Sequence, residues 1–229
     1  MINLEQLYKY ETHCHTSEAS ACSVSTASEM VESYYKMGYS GLIVTDHFFN
    51  GNTSIDQSLD WETRIHAFCL GYENALKAAK DLDFSVIFGL EFGYKGTDFL
   101  VYGIDKDFLL SNPEMLSWSL EHFFDKVHEV NGFIVHAHPF RQRPYINKIR
   151  FYPDYIDAVE VFNSGNDLSI FNDQALAYAI EHNFIQTRGS DSHDANNLAG
   201  EGIYFDKVIL NSNDLLVALR ENNFYTSTN

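Results

Sequence analysis

Long apolar runs are missing from this sequence. No stretch of 18 or more apolar residues occurs in its 229 positions, so no membrane span is expected. Cysteine is scarce and odd in number: Cys14, Cys22 and Cys69 show no CxxC spacing. That argues against a disulfide framework and against a structural zinc site. Basic residues are few, 15 Lys and Arg against 32 Asp and Glu, giving a formal net charge of -17. A nucleic-acid-binding face needs clustered Lys and Arg, so no nucleic-acid partner is expected. Neither GxGxxG nor a GxxxxGKS/T loop follows a strand-like segment, which argues against dinucleotide and P-loop chemistry. Met1 to Glu11 is polar and has no signal-like apolar centre. The expected location is a reducing cytoplasm.

What the chain has is core-forming material. Hydrophobic residues make up 45% and aromatics 15%, enough for one sizeable core in a chain of this length. No repeat, low-complexity tract or Pro/Gly linker divides it, so residues 1–229 read as a single domain. Strand-like and helix-like segments alternate. Strands are expected at residues 10–15, 42–45, 85–90, 99–104, 132–135, 158–162 and 184–187. Helices are expected from a Thr26/Glu29 capping box to about Lys36, and over 61–80, 118–130, 171–181 and 213–221. Seven strands alternating with helices imply parallel β/α units and a (β/α)7 barrel of TIM-barrel type. The polar stretch 94–98 reads as loop.

Ligand-type residues fall at the strand ends. His13 and His15 end the first strand, Asp46 and His47 the second, and Glu91 the third. His136 and His138 follow GFIV, Asn163 follows AVEVF, and Asp191 and His193 follow the last strand. In a parallel barrel all of these open on one face, where such folds place their sites. Residues i and i+2 of a strand share a side. His13 and His15 can therefore converge on one ion, and the same relation holds for His136 with His138 and Asp191 with His193. Cys14, between the first pair, should point into packing. His66, His122, His128 and His182 sit in helix-like stretches and read as surface or packing residues.

Each motif alone has an ordinary reading. Asp46 could cap a helix, Glu91 could open one, His138-Pro139 could be a turn, and Asp191 could be an N-cap. Their joint placement at five strand ends points instead to a metal centre. The set is too large for one tetrahedral ion, so two or three divalent transition metals (Zn, Mn or Fe) are expected. Arg141, Arg143 and Arg188 are candidate substrate-binding residues, since Arg suits phosphate recognition. The same residues are otherwise solvated loop charges.

These motifs, HCH at 13–15, TDH at 45–47, GLE at 89–91, AHP at 137–139, EVFN at 160–163 and GSDSH at 189–193, resemble the PHP (polymerase and histidinol phosphatase) family of metal-dependent phosphoesterases. They run in family order over positions 12 to 193. The resemblance implies a distorted seven-stranded β/α barrel with a trinuclear centre that hydrolyses phosphate esters through a metal-bridging hydroxide. Carried over by motif, His13, His15, Glu91 and Asp191 hold one metal, and Glu91 bridges to a second shared with His138. His47 and His193 hold the third. Glu91 and Asp191 are the catalytic candidates.

Two positions depart from the family pattern. Many members carry a His shortly after the glutamate, where this chain has Asp98, an oxygen ligand if it takes that place. Members also place an Asp or His a few residues after the HxH. Here Glu18 is the first replacement and Cys22 the second, and without either the centre becomes dinuclear. The expected substrate is a small-molecule phosphomonoester: histidinol phosphate, a nucleotide, a sugar phosphate or a phosphotyrosine peptide. The rival readings are an amidohydrolase-type hydrolase, a non-catalytic metal-binding regulatory domain and a polymerase-type exonuclease. The first usually has a mid-barrel lysine where this chain has Glu91.

Overall fold

A computed structural model of the chain describes residues 7–144 and 146–226. The strands are β1 (Tyr8–Cys14), β2 (Gly41–Val44), β3 (Ser85–Tyr94), β4 (Thr97–Tyr102), β5 (Phe133–Ala137), β6 (Ala158–Asn163), β7 (Ile185–Gly189) and β8 (Ile203–Phe205). The helices are α1 (Ala27–Lys36), α2 (Trp61–Phe68), α3 (Leu70–Ala79), α4 (Lys106–Ser111), α5 (Leu120–Glu129), α6 (Ser169–His182) and α7 (Ser212–Arg220). All eight strands belong to one sheet in the order β7-β6-β5-β4-β3-β2-β1-β8. The sheet curls until its ends nearly meet. Cys14 pairs with Ser192 just beyond β7, His15 N donates to Ser192 O at 2.9 Å, and Ser192 N donates to His13 O at 3.2 Å. The result is a nearly closed mixed α/β barrel of TIM-like type, with β8 added antiparallel to the edge of β1.

The barrel is not all parallel, as the alternation had suggested. β4 runs antiparallel to both β3 and β5. The reason is local. Lys95 and Gly96 both have positive φ, 52° and 80°, the geometry of a two-residue turn that matches strand twist. The polar stretch 94–98 is therefore the tip of a β3–β4 hairpin. Reversal of β4 places its first residues, Asp98 among them, at the same mouth as the ends of the parallel strands. The expected helix over 61–80 is two helices. Cys69 ends α2 and starts α3. Beyond the break, α3 carries Gly71 onto Thr16 and Asp46, where a Cβ would lie 2.3 Å from Thr16 Oγ1. The Thr26/Glu29 capping box forms as read, with Thr26 N donating to Glu29 Oε2 at 2.7 Å.

Three apolar layers support the mouth. Tyr10, Ile43, Ile87, Leu100, Tyr102, Phe133 and Val135 fill the barrel interior. An aromatic layer outside it includes Phe48, Phe68, Phe92, Phe99, Phe123 and Phe124, with Phe92 and Phe123 stacked at 3.9 Å. Each such buried ring contributes about 1.5–3 kcal/mol. Cys14, Met30 and Tyr34 belong to a third layer under α1 and α3, so Cys14 points into packing as expected. No helix among the described residues is long and apolar enough to cross a membrane.

Candidate metal centre

The first strand needs a defect to deliver two histidines to the mouth. Tyr10 packs inside the barrel and Cys14 outside it, although simple alternation would put both on one side. The register against β2 shifts between Glu11 and Cys14, and this bulge turns His13 and His15 inward together. Glu11 anchors the defect. Its buried carboxylate accepts from Thr12 N, His13 N and Ser190 N at 2.9, 2.8 and 3.0 Å, and from the Tyr34 and Ser190 hydroxyls. Burial raises its pKa against the pull of those hydrogen bonds. Glu11 thus fastens β1 to the segment after β7.

His13 and His15 present their Nε2 atoms to each other at 3.1 Å. Each has its other ring nitrogen occupied. His13 Nδ1 lies 2.9 Å from Glu160 Oε1, and His15 Nδ1 lies 3.0 Å from Ser20 Oγ, whose hydroxyl donates to Asp46 at 2.6 Å. If both Nδ1 atoms donate, two lone pairs face each other across 3.1 Å. Only a cation or a proton between them makes that favourable. Around this pair, Glu91 Oε2 and Asp191 Oδ1 stand 3.4 and 3.2 Å from His15 Nε2. Glu91 Oε1 also lies 3.2 Å from His138 Nε2, and its Oε2 lies 2.7 Å from His47 Nδ1. Apart from this His47 contact, the buried Oε2 has no hydrogen-bond partner among the described residues.

Among the described residues, four groups of ligand atoms lie within 4.8 Å of one another. They are His13, His15 and Glu91; His13, His138 and Asp191; Glu91, Asp98 and His138; and His15, His47 and His193. Glu91 belongs to two of them, a placement suited to sharing between two ions. The under-partnered oxygen, the facing nitrogens and the mixed His/carboxylate donor set fit divalent transition metals.

The charges interlock. Burial disfavours the Glu91 carboxylate, but His47 and His13 outweigh it and hold the pKa well below the usual range. Asp191 is likewise driven low against burial by His13 and Arg141. His13 rises despite burial because Asp191, Glu160 and Glu91 surround it. His47 is pushed up to about 11 against burial, chiefly by Glu91. His15 goes the other way, lowered by burial and by the neighbouring His47 and His193. Its ring packs at 4.3 Å from each of theirs. Asp98, half-buried beside Glu91, is raised to about 6 by desolvation and by that carboxylate.

Not every expected residue joins the cluster. His136 does not accompany His138. It projects to the opposite side of β5 and lies over Phe99, with ring centroids 5.2 Å apart. Burial, then His138, lowers its pKa to about 3. The i, i+2 relation fails because β5 ends at Ala137 and His138 turns inward with φ of 29°. Glu18 faces α1 instead: its carboxylate accepts from Ala27 N at 3.0 Å and from Asn74 Nδ2 at 3.2 Å. Arg188 is buried away from the mouth, 3.1 Å from Glu201 Oε2 and over the Phe162 ring at 4.1 Å. Arg141 does reach the centre, donating to Asp191 at 2.7 Å, Asn163 at 2.7 Å and Asn166 at 2.9 Å. Arg143 pairs with Asp167 at the rim. Cys22, Glu91, Asp98, His138, Arg141, Arg143 and Asp191 all line one cleft of about 460 Å³.

Behind the ligands stand two residues that the strand-end pattern did not single out, Glu160 and Ser20, and one that it did, Asp46. Glu160 holds His13, and its Oε2 accepts from His138 N at 3.0 Å and Asn163 Nδ2 at 2.8 Å. Ser20 and Asp46 hold His15. The signal was present: Glu160 is a carboxylate between Val159 and Val161, on the inward side that it shares with Ala158. Gly189 makes room for it, since a Cβ there would lie 2.7 Å from both Glu160 Oε1 and His13 Cβ.

Comparison with known proteins places these features in a family. No curated protein sequence matches the chain significantly. Among solved structures it is similar to a two-domain protein from Bacteroides vulgatus, described as containing a predicted PHP-like metal-dependent phosphoesterase. The TM-score is 0.72 at 14% identity, covering 98% of this chain and 66% of that one, just under two thirds of its length. An amidohydrolase from Chromobacterium violaceum with bound sulfate and no metal matches with TM-score 0.54 and 16% identity over 95% of this chain and 97% of that one. The lesion-specific endonuclease PfuEndoQ from Pyrococcus furiosus matches with TM-score 0.63 and 17% identity over 94% of this chain and 56% of that one. At these identities the likeness is one of fold, and the fold alone does not exclude a nucleic-acid substrate. The PHP domain itself matches residues 11–186, the span from the carboxylate that anchors the first strand to the start of β7, and this chain therefore belongs to the PHP domain family.

Proposed function

We propose that the chain is a phosphatase acting on small-molecule phosphomonoesters, with two or three divalent transition metals at the barrel mouth. One observation carries this reading. A carboxylate shared between ligand groups, Glu91, lies in the same cleft as a half-buried guanidinium, Arg141, that is not fully used. Arginine has five N–H donors, and three of them go to Asp191, Asn163 and Asn166. Two remain for phosphoryl oxygens, held in place by the other three.

His13, His15, Glu91 and Asp191 would hold one ion. Glu91, Asp98 and His138 would hold a second, and His15, His47 and His193 frame a third position. Such ions supply Lewis acidity towards a phosphoryl oxygen and lower the pKa of the water they hold. The chain does the rest. Glu160 and the Ser20–Asp46 pair fix the ring orientations of His13 and His15. Arg141 would neutralise charge on the phosphoryl oxygens as the alcohol leaves, and it keeps Asp191 ionised and oriented. Arg143, on the rim and paired with an exposed Asp167, is placed to follow the substrate. The cleft volume suits a metabolite-sized ester. Its acidic surroundings disfavour a long polyanion, which keeps the nucleic-acid reading second.

The test is a panel of phosphomonoesters, phosphodiesters and amides offered to the purified protein with added manganese or zinc. Preferential release of inorganic phosphate from monoesters is expected. Turnover of amides alone, or of diesters alone, would overturn the proposal. Stoichiometric metal without turnover of any class would favour a binding or regulatory role.

A further inference from the structure

Basic residues are few in this chain, and they are unevenly placed. No Asp or Glu occurs between Glu129 and Asp154, yet that interval holds Arg141, Arg143, Lys148 and Arg150, four of the 15 Lys and Arg. A chain of net charge -17 thus contains one acid-free stretch rich in cations. The fold takes that stretch to the metal centre. It leaves β5 at His138 and crosses to β6 with neither helix nor strand among its described residues.

This strap rests on the tip of the β3–β4 hairpin. Arg150 Nη1 donates to Lys95 O at 2.7 Å and to Lys148 O at 2.9 Å, and a Cβ on Gly96 would lie 3.4 Å from Ile146 Cγ1. The brace brings another cation, Lys95, to the same side of the mouth. Lys95, Arg141 and Arg143 all line the cleft. Among the described residues, the acids lining it are Glu91, Asp98 and Asp191, and each belongs to a ligand group. With metal ions offsetting those acids, the charge left for a substrate to meet is cationic. One phosphoryl group is served by the ions and by Arg141. Arg143 and Lys95 are surplus to it. Arg143 has only an exposed carboxylate, Asp167, beside it among the described residues. The Lys95 ammonium meets the Tyr94 ring, 4.8 Å from its centre, rather than a carboxylate.

We propose that Arg143 and Lys95 form a second anion subsite at the rim of the cleft, and that the substrate is a phosphomonoester whose leaving group carries its own anionic group, a carboxylate or a second phosphate. The inference rests on the phosphatase reading above. The net charge of the protein repels anions at long range, so a doubly anionic substrate needs local cations, and the strap and hairpin tip supply them. Arg offers a bidentate grip on either anion, and Lys a point charge beside it. Both residues stand outside the ligand groups. They therefore set which ester is held rather than how it is cleaved.

The test compares three esters that differ at the far end of one leaving group: butanediol monophosphate, which ends in a hydroxyl, phosphooxybutanoate and butanediol bisphosphate. Initial release of phosphate is measured on the metal-loaded full chain. Wild type is expected to favour one or both charged esters over the hydroxyl ester by about tenfold or more in kcat/KM, and which of the two is favoured tells carboxylate from phosphate. Added salt should erode the preference, since exposed charges are screened. The double variant Lys95→Gln, Arg143→Gln should bring the ratio close to one. Lys126→Gln, a cation outside the cleft and paired with Glu129, should leave the ratio unchanged. Equal kcat/KM for the three esters in wild type, or a preference that survives the double variant, would overturn the subsite while leaving the phosphatase reading intact. Calorimetric titration of the same compounds makes the comparison without turnover. No phosphate release from any of them would overturn the phosphatase reading, and equal binding of the three would overturn the subsite as well.

Discussion

Glu160→Gln is a sharp test of how the centre is held. Glu160 has three partners: His13 Nδ1 at 2.9 Å, His138 N at 3.0 Å and Asn163 Nδ2 at 2.8 Å. Two of these are obligatory donors to Oε2, so a glutamine must turn its carbonyl oxygen to them. Its NH2 group then faces His13 Nδ1 and needs an acceptor there. The ring is forced into the tautomer with its proton on Nε2, the atom that faces Glu91 and Asp191. Metal binding must now expel that proton or break the new hydrogen bond. Loss of such a carboxylate–histidine partner costs about 10–100-fold in metal affinity, or about 1.4–2.7 kcal/mol. A chelator-competition titration on the folded variant reads this directly. A dissociation constant within about threefold of wild type, under 1 kcal/mol, would refute the reasoning.

Three further outcomes follow from the same geometry. Gly189→Ala drives a Cβ against Glu160 and His13 at 2.7 Å, which should cost about 1–3 kcal/mol and lower Tm by several degrees in a thermal melt. Stripping the metals should lower Tm by about 5–10 °C, because an ion present at about 100 times its dissociation constant stabilises by roughly 2.7 kcal/mol. An unchanged Tm would mean that the cluster holds no ion. Away from the centre, the hydrogen bond from His128 to Asp157 at 3.0 Å raises the histidine pKa despite partial burial. A raised folded-state pKa adds stability that is full below the ordinary value near 6.5 and lost as pH rises through the folded value. His128→Gln should therefore lower Tm more at about pH 5.5 than at about pH 8.5, by under about 1 kcal/mol since the pair is part-exposed.

The sequence and the structure agree where side-chain chemistry is local. HCH, TDH, GLE and GSDSH each brought a ligand-type residue to the mouth, because strand ends in a barrel converge whatever lies between them. The disagreements have physical causes. The β3–β4 hairpin was hidden because Lys95 and Gly96 sit among polar residues that read as loop, and nothing but their backbone angles marks the turn. His136 was grouped with His138 on strand periodicity, which stops applying once the chain leaves the strand at Ala137. Glu18 looked like a ligand by sequence distance from His15 but spends its carboxylate on the start of α1. Arg188 is drawn away by Glu201, 13 residues further on. The supporting carboxylates Glu11, Asp46 and Glu160 were visible as letters. Many of their partners come from distant segments, Ser190 for Glu11, Ser20 for Asp46 and His13 for Glu160, and no spacing rule connects them.

The central claim is that the residues around Glu91 form a hydrolytic metal centre for phosphate esters. The most direct measurement is release of inorganic phosphate from a chromogenic phosphomonoester with added manganese, by wild type and by Glu91→Ala. Removing a carboxylate placed between two ligand groups should abolish turnover while the melt shows a folded protein, and a chelator should abolish turnover of wild type. Phosphate release that survives either Glu91→Ala or the chelator would contradict the account.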